Sequence, residues 1–314
     1  MVMTASEYIE SLRRRKLNLY LLGEKVENCV DNPIIRPSMN AVAMTYKIAH
    51  EAKNQALATT TSTLTGKKIN RFASLFNSTE DLVNKVKMQR ELGQRTACCF
   101  QRCVGMDGIN AAFSTTYDID QKYGTDYHQR FREWLKNVQE KDLYVSGAMT
   151  DVKGNRGLAP SEQADPDMFV HIVERRSDGI VIRGAKAHQT GTANAHEVLV
   201  MPTLRMQEAD KDYAVSCALP TDTKGITMVY SRQSCDTRKL EAGDIDVGNY
   251  SFGGQEVMLI LDDVFVWKGS LPTTGRATAV VRQASATCLS GLPPQSLTTM
   301  ASAGQPISGI KLVR

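Results

Sequence analysis

Two cysteines four residues apart are the side chains of this sequence best suited to chemistry. Cys99 and Cys103 lie in the stretch from Arg95 to Asp107. If that stretch is helical, the spacing places both thiols on one face of the helix, one turn apart. Two thiolates so arranged can bind one soft metal ion or an iron–sulfur cluster, whereas Cys98 would point elsewhere and be a poor third ligand. Because free cysteines are often simply buried, a structural pair is the alternative, and spacing alone favours it.

Two glycine-containing segments are candidates for a cofactor site. The segments 147–151 and 184–191 combine glycines, hydroxyls and backbone amides, which suit close approach to a flat ring system and a pyrophosphate. Two polar hairpin turns are the alternative, and the residue pattern alone favours them. His188 by itself is more typical of a structural histidine than of a base. Glu256 precedes an apolar strand and gains chemical interest only if the fold places it in a cleft.

Helices dominate the prediction for the first half of the chain, which must position the cysteines. Ser78 is a good N-cap with Asp81 at the capping-box position, and the long helix that follows would carry Cys99 and Cys103 onward through Phe113. Further helices are predicted to begin at Thr4 or Ser6, to run from Asn40 to Ala58 and to run from about Tyr127 to Gln139. The segment 32–37 is predicted to be extended because each proline disfavours helix in the residue before it, and 59–65 is predicted to be a loop.

Short strands dominate the prediction after residue 146. Runs of strand length and β-branched content occur at 168–173, 179–182, 197–200, 213–218, 225–230 and 257–261. Helices followed by a block of short strands indicate an α+β fold. We therefore predict a helical domain over 1–146, a β domain over 147–266, and a tail of low order over 267–314 that is rich in Ser, Thr, Ala, Gly and Pro.

Composition and charge exclude several classes of protein. The 314 residues are 42% hydrophobic and 23% charged with a net charge of +4, which does not point to nucleic acid. The run Arg13 to Lys16 resembles a nucleic-acid patch, but a solvated helix face is the favoured interpretation. No apolar run approaches the length of a membrane span. Seven irregularly spaced cysteines, with no signal-peptide pattern at the start, favour a reducing cytoplasm.

The sequence resembles the 4-hydroxyphenylacetate 3-hydroxylase flavoprotein family, and within it the branch of the 4-hydroxybutyryl-CoA dehydratases. The matching segments cover residues 1 to about 266 almost without interruption. They are Thr4 to Leu12, Gly23 to Asn28, Cys99 to Asp107, Gly184 to Gly191 and Arg232 to Arg238. The cysteine pair discriminates between branches, because the flavin monooxygenase branch carries no cluster.

The resemblance implies a fold, two cofactors and a reaction. The implied fold is similar to acyl-CoA dehydrogenase, with a helical domain, a β-barrel and a C-terminal helical bundle, in a homotetramer. FAD and a 4Fe–4S cluster are implied; Cys99 and Cys103 match two cluster ligands, and a histidine and a third cysteine follow later. The reaction removes water from 4-hydroxybutyryl-CoA, an acyl-CoA substrate, to give crotonyl-CoA by a ketyl-radical route, with vinylacetyl-CoA isomerase activity alongside. The implied flavin contacts are Met149, Thr150, Arg156, Gln189 and Thr190, and Glu256 matches an active-site glutamate.

The resemblance stops near Val266, where the family continues with the remaining cluster ligands. In one-letter code the core of that family segment is ERFAxYHRQSYGGC. A shifted reading frame joins the last base of each codon to the first two bases of the next codon. In that frame the codons of Trp267 and Lys268 encode a glutamate, and the codons through Pro294 permit the family residues in order. We hypothesise that the tail is an out-of-frame translation preceded by a deletion, with the C-terminal bundle missing. The ligand positions then hold Thr274 and Val281, which cannot replace imidazole and thiolate on iron, so we expect an inactive fragment.

Three functional hypotheses therefore stand. The first is a chain of the dehydratase branch, descended from an FAD- and 4Fe–4S-dependent hydro-lyase. The second is an FAD-dependent aromatic-ring monooxygenase of the 4-hydroxyphenylacetate 3-hydroxylase type, against which the pair Cys99 and Cys103 argues. The third is a non-enzymatic remnant that binds partner subunits or nothing. Iron content and brown colour after anaerobic purification would separate a working cluster protein from the other two.

Overall fold

Helices fill the first half of the molecule and strands the second. The computed structural model describes residues 2–204, 206–231, 251–270 and 273–274. The helices are α1 (Ala5–Arg13), α2 (Arg36–Lys47), α3 (Gln55–Ala58), α4 (Thr79–Thr96), α5 (Cys103–Tyr123) and α6 (Tyr127–Glu140). The strands are β1 (Leu19–Leu21), β2 (Glu24–Lys25), β3 (Thr59–Thr61), β4 (Lys68–Asn70), β5 (Val145–Ala148), β6 (His171–Arg175), β7 (Gly179–Thr190), β8 (Glu197–Val200), β9 (Val215–Pro220), β10 (Ile226–Tyr230), β11 (Glu256–Trp267) and β12 (Thr273–Thr274). The predicted α+β class is confirmed.

The strands form three sheets. The largest has the order β2-β1-β10-β11-β7-β6, a second has the order β12-β9-β8-β5, and β3 and β4 form a hairpin. The pairs β1–β10 and β5–β8 are parallel, and the other pairs are antiparallel. The strand order of the largest sheet begins at β2 and ends at β6, so within the described ranges these strands form open sheets rather than the closed barrel that the resemblance implied. Strands β1 and β2, from the region predicted to be helical, complete a sheet of the second half.

One hydrophobic core joins the N-terminal helices to both large sheets. Tyr8 and Tyr46, from α1 and α2, stack with ring centroids 4.5 Å apart and are fully buried. The same core contains Val198 of β8 and Leu259 of β11. Burial of this apolar surface is the main driving force for folding, and it fixes the helices against the strands that carry the site.

Several predicted helix starts are confirmed by their capping contacts. The Thr4 hydroxyl accepts a hydrogen bond from the amide of Glu7, and the Glu7 carboxylate accepts one from the amide of Thr4, which completes a capping box. Ser78 accepts from the amide of Asp81 in the same way at the start of α4. The helix predicted from Tyr127 is α6.

The long helix predicted through both cysteines is wrong. Helix α4 ends at Thr96, and Ala97 follows in the left-handed conformation with φ of 49°. The Thr96 hydroxyl donates to the carbonyl of Leu92 and to that of Cys98, so the chain turns back on itself. A new helix, α5, begins at Cys103. Cys99 therefore lies in a loop and not on the helix that carries Cys103.

Other local predictions are also corrected. The segment 32–37 is not extended, because α2 begins at Arg36 with Pro37 in its first turn, where a missing N–H costs nothing. The helix predicted over 40–58 breaks into α2, a 3₁₀ turn and α3, and the predicted loop 59–65 contains β3. The segment 184–191 lies largely within β7 instead of forming a hairpin turn.

Some predictions fall outside the described residues. These are the segment Arg232–Arg238 and most of the tail, including Val281. Two of the four cations of the run 13–16 are engaged by acids: Arg13 pairs with Glu10 and Asp31, and Arg15 pairs with Asp222. None of the helices in the described ranges is long and apolar enough to cross a membrane.

Candidate functional site

The loop between α4 and α5 brings the two cysteine side chains together. The thiols of Cys99 and Cys103 share a hydrogen bond, and the backbone N–H of Gln101 also donates to the Cys99 sulfur. These donors lower the pKa of Cys99 to about 7. The bond to Cys99, together with burial, raises the pKa of Cys103. The Cys103 thiol therefore favours the thiolate form of Cys99.

The two helices that frame the loop are fixed by ion pairs. Lys85 on α4 pairs with Asp107, one helical turn after Cys103. Burial raises the pKa of Asp107, and its carboxylate contributes to raising the pKa of Cys103. At the end of α4, Arg95 donates two hydrogen bonds of 2.6 and 2.7 Å to the carboxylate of Glu51. A bidentate, partly buried pair of this kind limits movement of the chain entering the cysteine loop.

The thiol pair fits half of a four-ligand metal set. Cys99 is exposed and Cys103 is partly exposed, so an incoming metal can reach both sulfurs. Thiolates are the ligands that iron–sulfur clusters and soft metals prefer. Among the described residues, no group of three or more His, Cys, Asp or Glu side chains is placed to hold a metal ion. Further ligands would have to come from elsewhere.

A carboxylate lies near the thiol pair, at the start of β11. The Thr190 hydroxyl oxygen lies 2.7 and 2.8 Å from the two carboxylate oxygens of Glu256, directly across the β7–β11 pair. Nε2 of His188, an exposed side chain, lies 3.6 Å from Oε1 of the same carboxylate. Burial raises the pKa of Glu256, while Thr190 and His188 oppose that rise. The negative charge of Glu256 opposes the lowering of the pKa of Cys99, so the thiolate and the carboxylate repel each other electrostatically.

The segment 149–151, which follows β5, is held in place by hydrogen bonds from two buried side chains of β7. The carbonyl of Thr150 accepts hydrogen bonds from the backbone N–H of Ala187 and from Nε2 of Gln189, each 2.9 Å long. Nζ of Lys186 donates to the carbonyl of Met149 at 3.1 Å and to the carboxylate of Asp151. Met149 and Thr150, whose carbonyls these bonds hold, are themselves partly exposed.

The residues predicted to contact flavin are thus placed differently from one another. Met149, Thr150 and Thr190 are partly exposed, and Gln189 is buried and positions Thr150. Arg156 lies exposed in the turn after the held segment. Their contact with a flavin stays a prediction.

Sequence reasoning missed the buried residues that assemble this site. Gln101 stands between the two cysteines, and Lys186 stands within the glycine-containing segment 184–191, so position near a motif was the available signal. Tyr144 donates from its hydroxyl to the carbonyl of Gln101 at 2.6 Å and gave no signal in the sequence. Gln255 is fully buried beside Glu256, and both polar atoms of its amide lack a hydrogen-bond partner in this part of the molecule.

A family model and several relatives match this chain. The model described as 4-hydroxyphenylacetate 3-hydroxylase N terminal matches residues 4–268. A 4-hydroxybutyryl-CoA dehydratase/vinylacetyl-CoA-Δ-isomerase from Clostridium aminobutyricum is 64% identical over 267 residues, which cover 85% of this chain and 54% of the relative. The oxygenase component of a 4-hydroxyphenylacetate 3-monooxygenase from Thermus thermophilus is 30% identical over 73% of this chain and 46% of its own.

Solved structures match the same region. An oxygen-tolerant archaeal 4-hydroxybutyryl-CoA dehydratase from N. maritimus superposes with a TM-score of 0.86 and 49% identity, covering 96% of this chain and 61% of that one. The oxygenase component HpaB of 4-hydroxyphenylacetate 3-monooxygenase, complexed with FAD, superposes with a TM-score of 0.73 and 26% identity, covering 95% and 62%. These superpositions confirm the α+β fold of the family over the matched region, apart from the closed barrel, which the described strands do not form. The chain spans about half the length of the curated relatives it matches.

Proposed function

We propose, because the chain belongs to the 4-hydroxyphenylacetate 3-hydroxylase N-terminal family, that it carries part of a site for the removal of water from 4-hydroxybutyryl-CoA to give crotonyl-CoA, and that this polypeptide as translated is an inactive fragment. The dehydratase relative is 64% identical, compared with 30% for the monooxygenase relative. An acyl-CoA is the proposed substrate, and FAD and a 4Fe–4S cluster are the proposed cofactors. The proposal also includes a homotetramer, which rests on the resemblance, and a cytoplasmic location, which rests on the number and spacing of the cysteines.

The thiol pair is the observation that carries this proposal. Cys99 and Cys103 share a hydrogen bond at the surface, and the pKa of Cys99 is lowered to about 7. A thiol with a lowered pKa loses its proton to a metal more readily, because the thiolate is the ligand. The dehydration needs such help, since the β-hydrogen of the substrate is scarcely acidic and ordinary acid–base chemistry is weak there.

The neighbouring side chains suit proton handling and orientation. When bound, the cluster would supply a Lewis-acidic iron for the leaving hydroxyl, and FAD would supply one-electron transfer. The carboxylate of Glu256 is the proposed group for holding or releasing a proton, and burial raises its pKa above the ordinary value. The hydroxyl of Thr190 fixes the direction of that carboxylate through its contacts with both oxygens. The held segment 149–151 offers a rigid surface for the flavin.

A flavin-dependent aromatic hydroxylation is the second candidate function. It is supported by the superposition on HpaB complexed with FAD, at 26% identity. This candidate gives the thiol pair no role. Iron content therefore separates the two functions.

The test is anaerobic loading of the 314-residue chain with iron, sulfide and FAD. Wild type, Cys99→Ser and Cys103→Ser are compared with Cys98→Ser, a matched control whose thiol adjoins the pair. We expect Cys98→Ser to retain iron like the wild type and the other two variants to lose it. Equal iron in all three variants would overturn the proposal and favour the hydroxylase. Quenching of FAD fluorescence measures flavin binding separately.

Turnover is expected to be absent from this polypeptide as translated. Under the frameshift hypothesis, Thr274 and Val281 stand where the family segment supplies histidine and cysteine, and neither side chain can replace them on iron. The assay follows formation of crotonyl-CoA from 4-hydroxybutyryl-CoA by the loaded chain. Measurable dehydration would contradict the inactive-fragment hypothesis without affecting the role of the thiol pair.

A further inference from the structure

We propose that Gln101 is a positioning residue that holds the Cys99–Cys103 loop against the Thr190–Glu256 end of strands β7 and β11. The geometry of the two thiols is what Gln101 would fix, and only the purpose of that geometry rests on the proposed function. Three sets of contacts support this role: those of the Gln101 backbone, those of its side chain and the close approach at Gly191.

The backbone of Gln101 is held at both its polar atoms. Its N–H donates to the Cys99 sulfur, and its carbonyl accepts the Tyr144 hydroxyl at 2.6 Å. Its φ of 68° lies in the left-handed region, which costs a residue with a side chain about 1 kcal/mol or more. The surrounding contacts must therefore compensate for that strain.

The side chain of Gln101 bridges three separate parts of the chain. Nε2 donates to the carbonyl of Ser38 on α2 at 2.9 Å and to the carbonyl of Gly253, just before β11, at 3.0 Å. Oε1 accepts from Nδ2 of Asn194, just after β7, at 3.2 Å. The residue is only 1% exposed, so water does not compete for these bonds. An amide is required because one group must donate twice and accept once.

A glycine allows the loop to approach the strand end this closely. A Cβ on Gly191 would lie 2.0 Å from the Tyr144 hydroxyl and 2.7 Å from Cβ of Gln101. Gly191 also has φ of 75°, and its N–H donates to the carbonyl of Gln255. Since Gly191 follows Thr190 and Gln255 precedes Glu256, these contacts tie the thiol loop to the carboxylate.

The chain offers a matched control for removing a buried amide. Gln139 is 4% exposed, donates to the carbonyl of Ala73 at 2.8 Å and accepts from the Ser62 hydroxyl at 2.6 Å. It belongs to helix α6 and makes none of the contacts described for the thiol loop. Gln101→Met and Gln139→Met thus remove similar groups, and only the first removes the bridge to the loop.

The experiment measures how well the two thiols act together, without iron or substrate. Reduced chain in a Cys98→Ser background is titrated with phenylarsine oxide, which binds tightly only when two thiols reach the same arsenic. We expect Gln101→Met to weaken binding at least roughly tenfold and Gln139→Met to leave it within about twofold. Unfolding by urea, followed in parallel, reports the loss of stability shared by both variants.

The outcomes separate positioning from general stability. Unchanged affinity in Gln101→Met, or an equal loss in Gln139→Met, would overturn the proposal. If Gln101→Met does not fold, Tyr144→Phe is tested instead, because it removes only the hydroxyl that holds the Gln101 carbonyl. Weaker binding of phenylarsine oxide by Tyr144→Phe would support the proposal, and unchanged binding would overturn it. Arsenical binding is independent of iron retention, so a failure of the proposed function would be recognised separately.

Discussion

Replacing Lys186 with methionine is expected to be among the most destabilising single changes in the β half of the molecule. Nζ of Lys186 donates to the carbonyls of Met149 and Met201 and to the carboxylate of Asp151. The side chains of Lys186 and Asp151 are each 2% exposed. Burial lowers the pKa of Lys186, and the adjoining carboxylate opposes that shift. The pair therefore ties three chain segments together around two buried charges.

The expected loss follows from leaving Asp151 charged and buried. In Lys186→Met the Asp151 carboxylate keeps the hydrogen bond from the Thr203 hydroxyl but has lost its counter-ion. Breaking a buried pair by removing one partner costs about 3–5 kcal/mol of unfolding free energy. In Lys186→Met/Asp151→Asn the stranded charge is gone, so about 1–3 kcal/mol of that loss should return. Flavin binding should weaken with Lys186→Met, because the carbonyl of Met149 loses its donor.

Urea unfolding of the purified chain measures these differences. The matched control is Lys67→Met, which breaks the exposed pair with Glu140 and should cost less than about 1 kcal/mol. A loss for Lys186→Met no larger than that of Lys67→Met would refute the reasoning. So would a double variant as unstable as Lys186→Met alone, because the stranded charge could then not be the cause.

Three further results are expected. Gln255→Met should leave the free energy of unfolding in urea unchanged or raise it by about 1 kcal/mol, since the buried amide that it removes lacks hydrogen-bond partners in the described residues. A decrease of more than about 1 kcal/mol would show that this amide does have partners. Burial lowers the pKa of His196 to about 3, so below pH 6.5 the unfolded state binds a proton that the folded state does not. The free energy of unfolding should therefore decrease as the pH is lowered, by about 2 kcal/mol from pH 7 to pH 5. His196→Gln should flatten this dependence, and an unchanged dependence would contradict the assignment. Sequencing the DNA beneath 267–294 should spell the family segment in the neighbouring frame, and any other reading would end the frameshift hypothesis.

Local signals in the sequence were sufficient for helix starts and most strands. Thr4 and Ser78 cap the helices they were predicted to cap, because capping depends on residues within one turn. Proline misled the prediction at Pro37, which sits inside the first turn of α2. The hairpin β3–β4 was missed because its strands pair Thr60 with Ile69, and a run of threonines does not by itself predict this pairing.

The contacts that assemble the site could not be predicted because they join distant parts of the chain. The amide of Gln101 reaches Gly253, 152 residues away, and Tyr8 donates to the carbonyl of Asn194, 186 residues away. No periodicity or spacing encodes such pairs. The family match, which ends at residue 268, agrees with the end of the resemblance at Val266. The family resemblance therefore predicted the fold and the extent of the matched region, which local sequence patterns could not.

The break between α4 and α5 explains why the thiol pair is better suited to a metal than the predicted helix would be. In a continuous helix the N–H of Gln101 would donate to the carbonyl four residues earlier and be unavailable. In the loop, with left-handed residues at Ala97 and Gln101, that N–H donates to the Cys99 sulfur instead. The Cys103 thiol and this N–H together stabilise the thiolate, and both lower the pKa of Cys99. The irregular backbone, rather than a helical spacing of the two cysteines, thus supplies the Gln101 N–H that favours the thiolate needed for the proposed ligand role of Cys99.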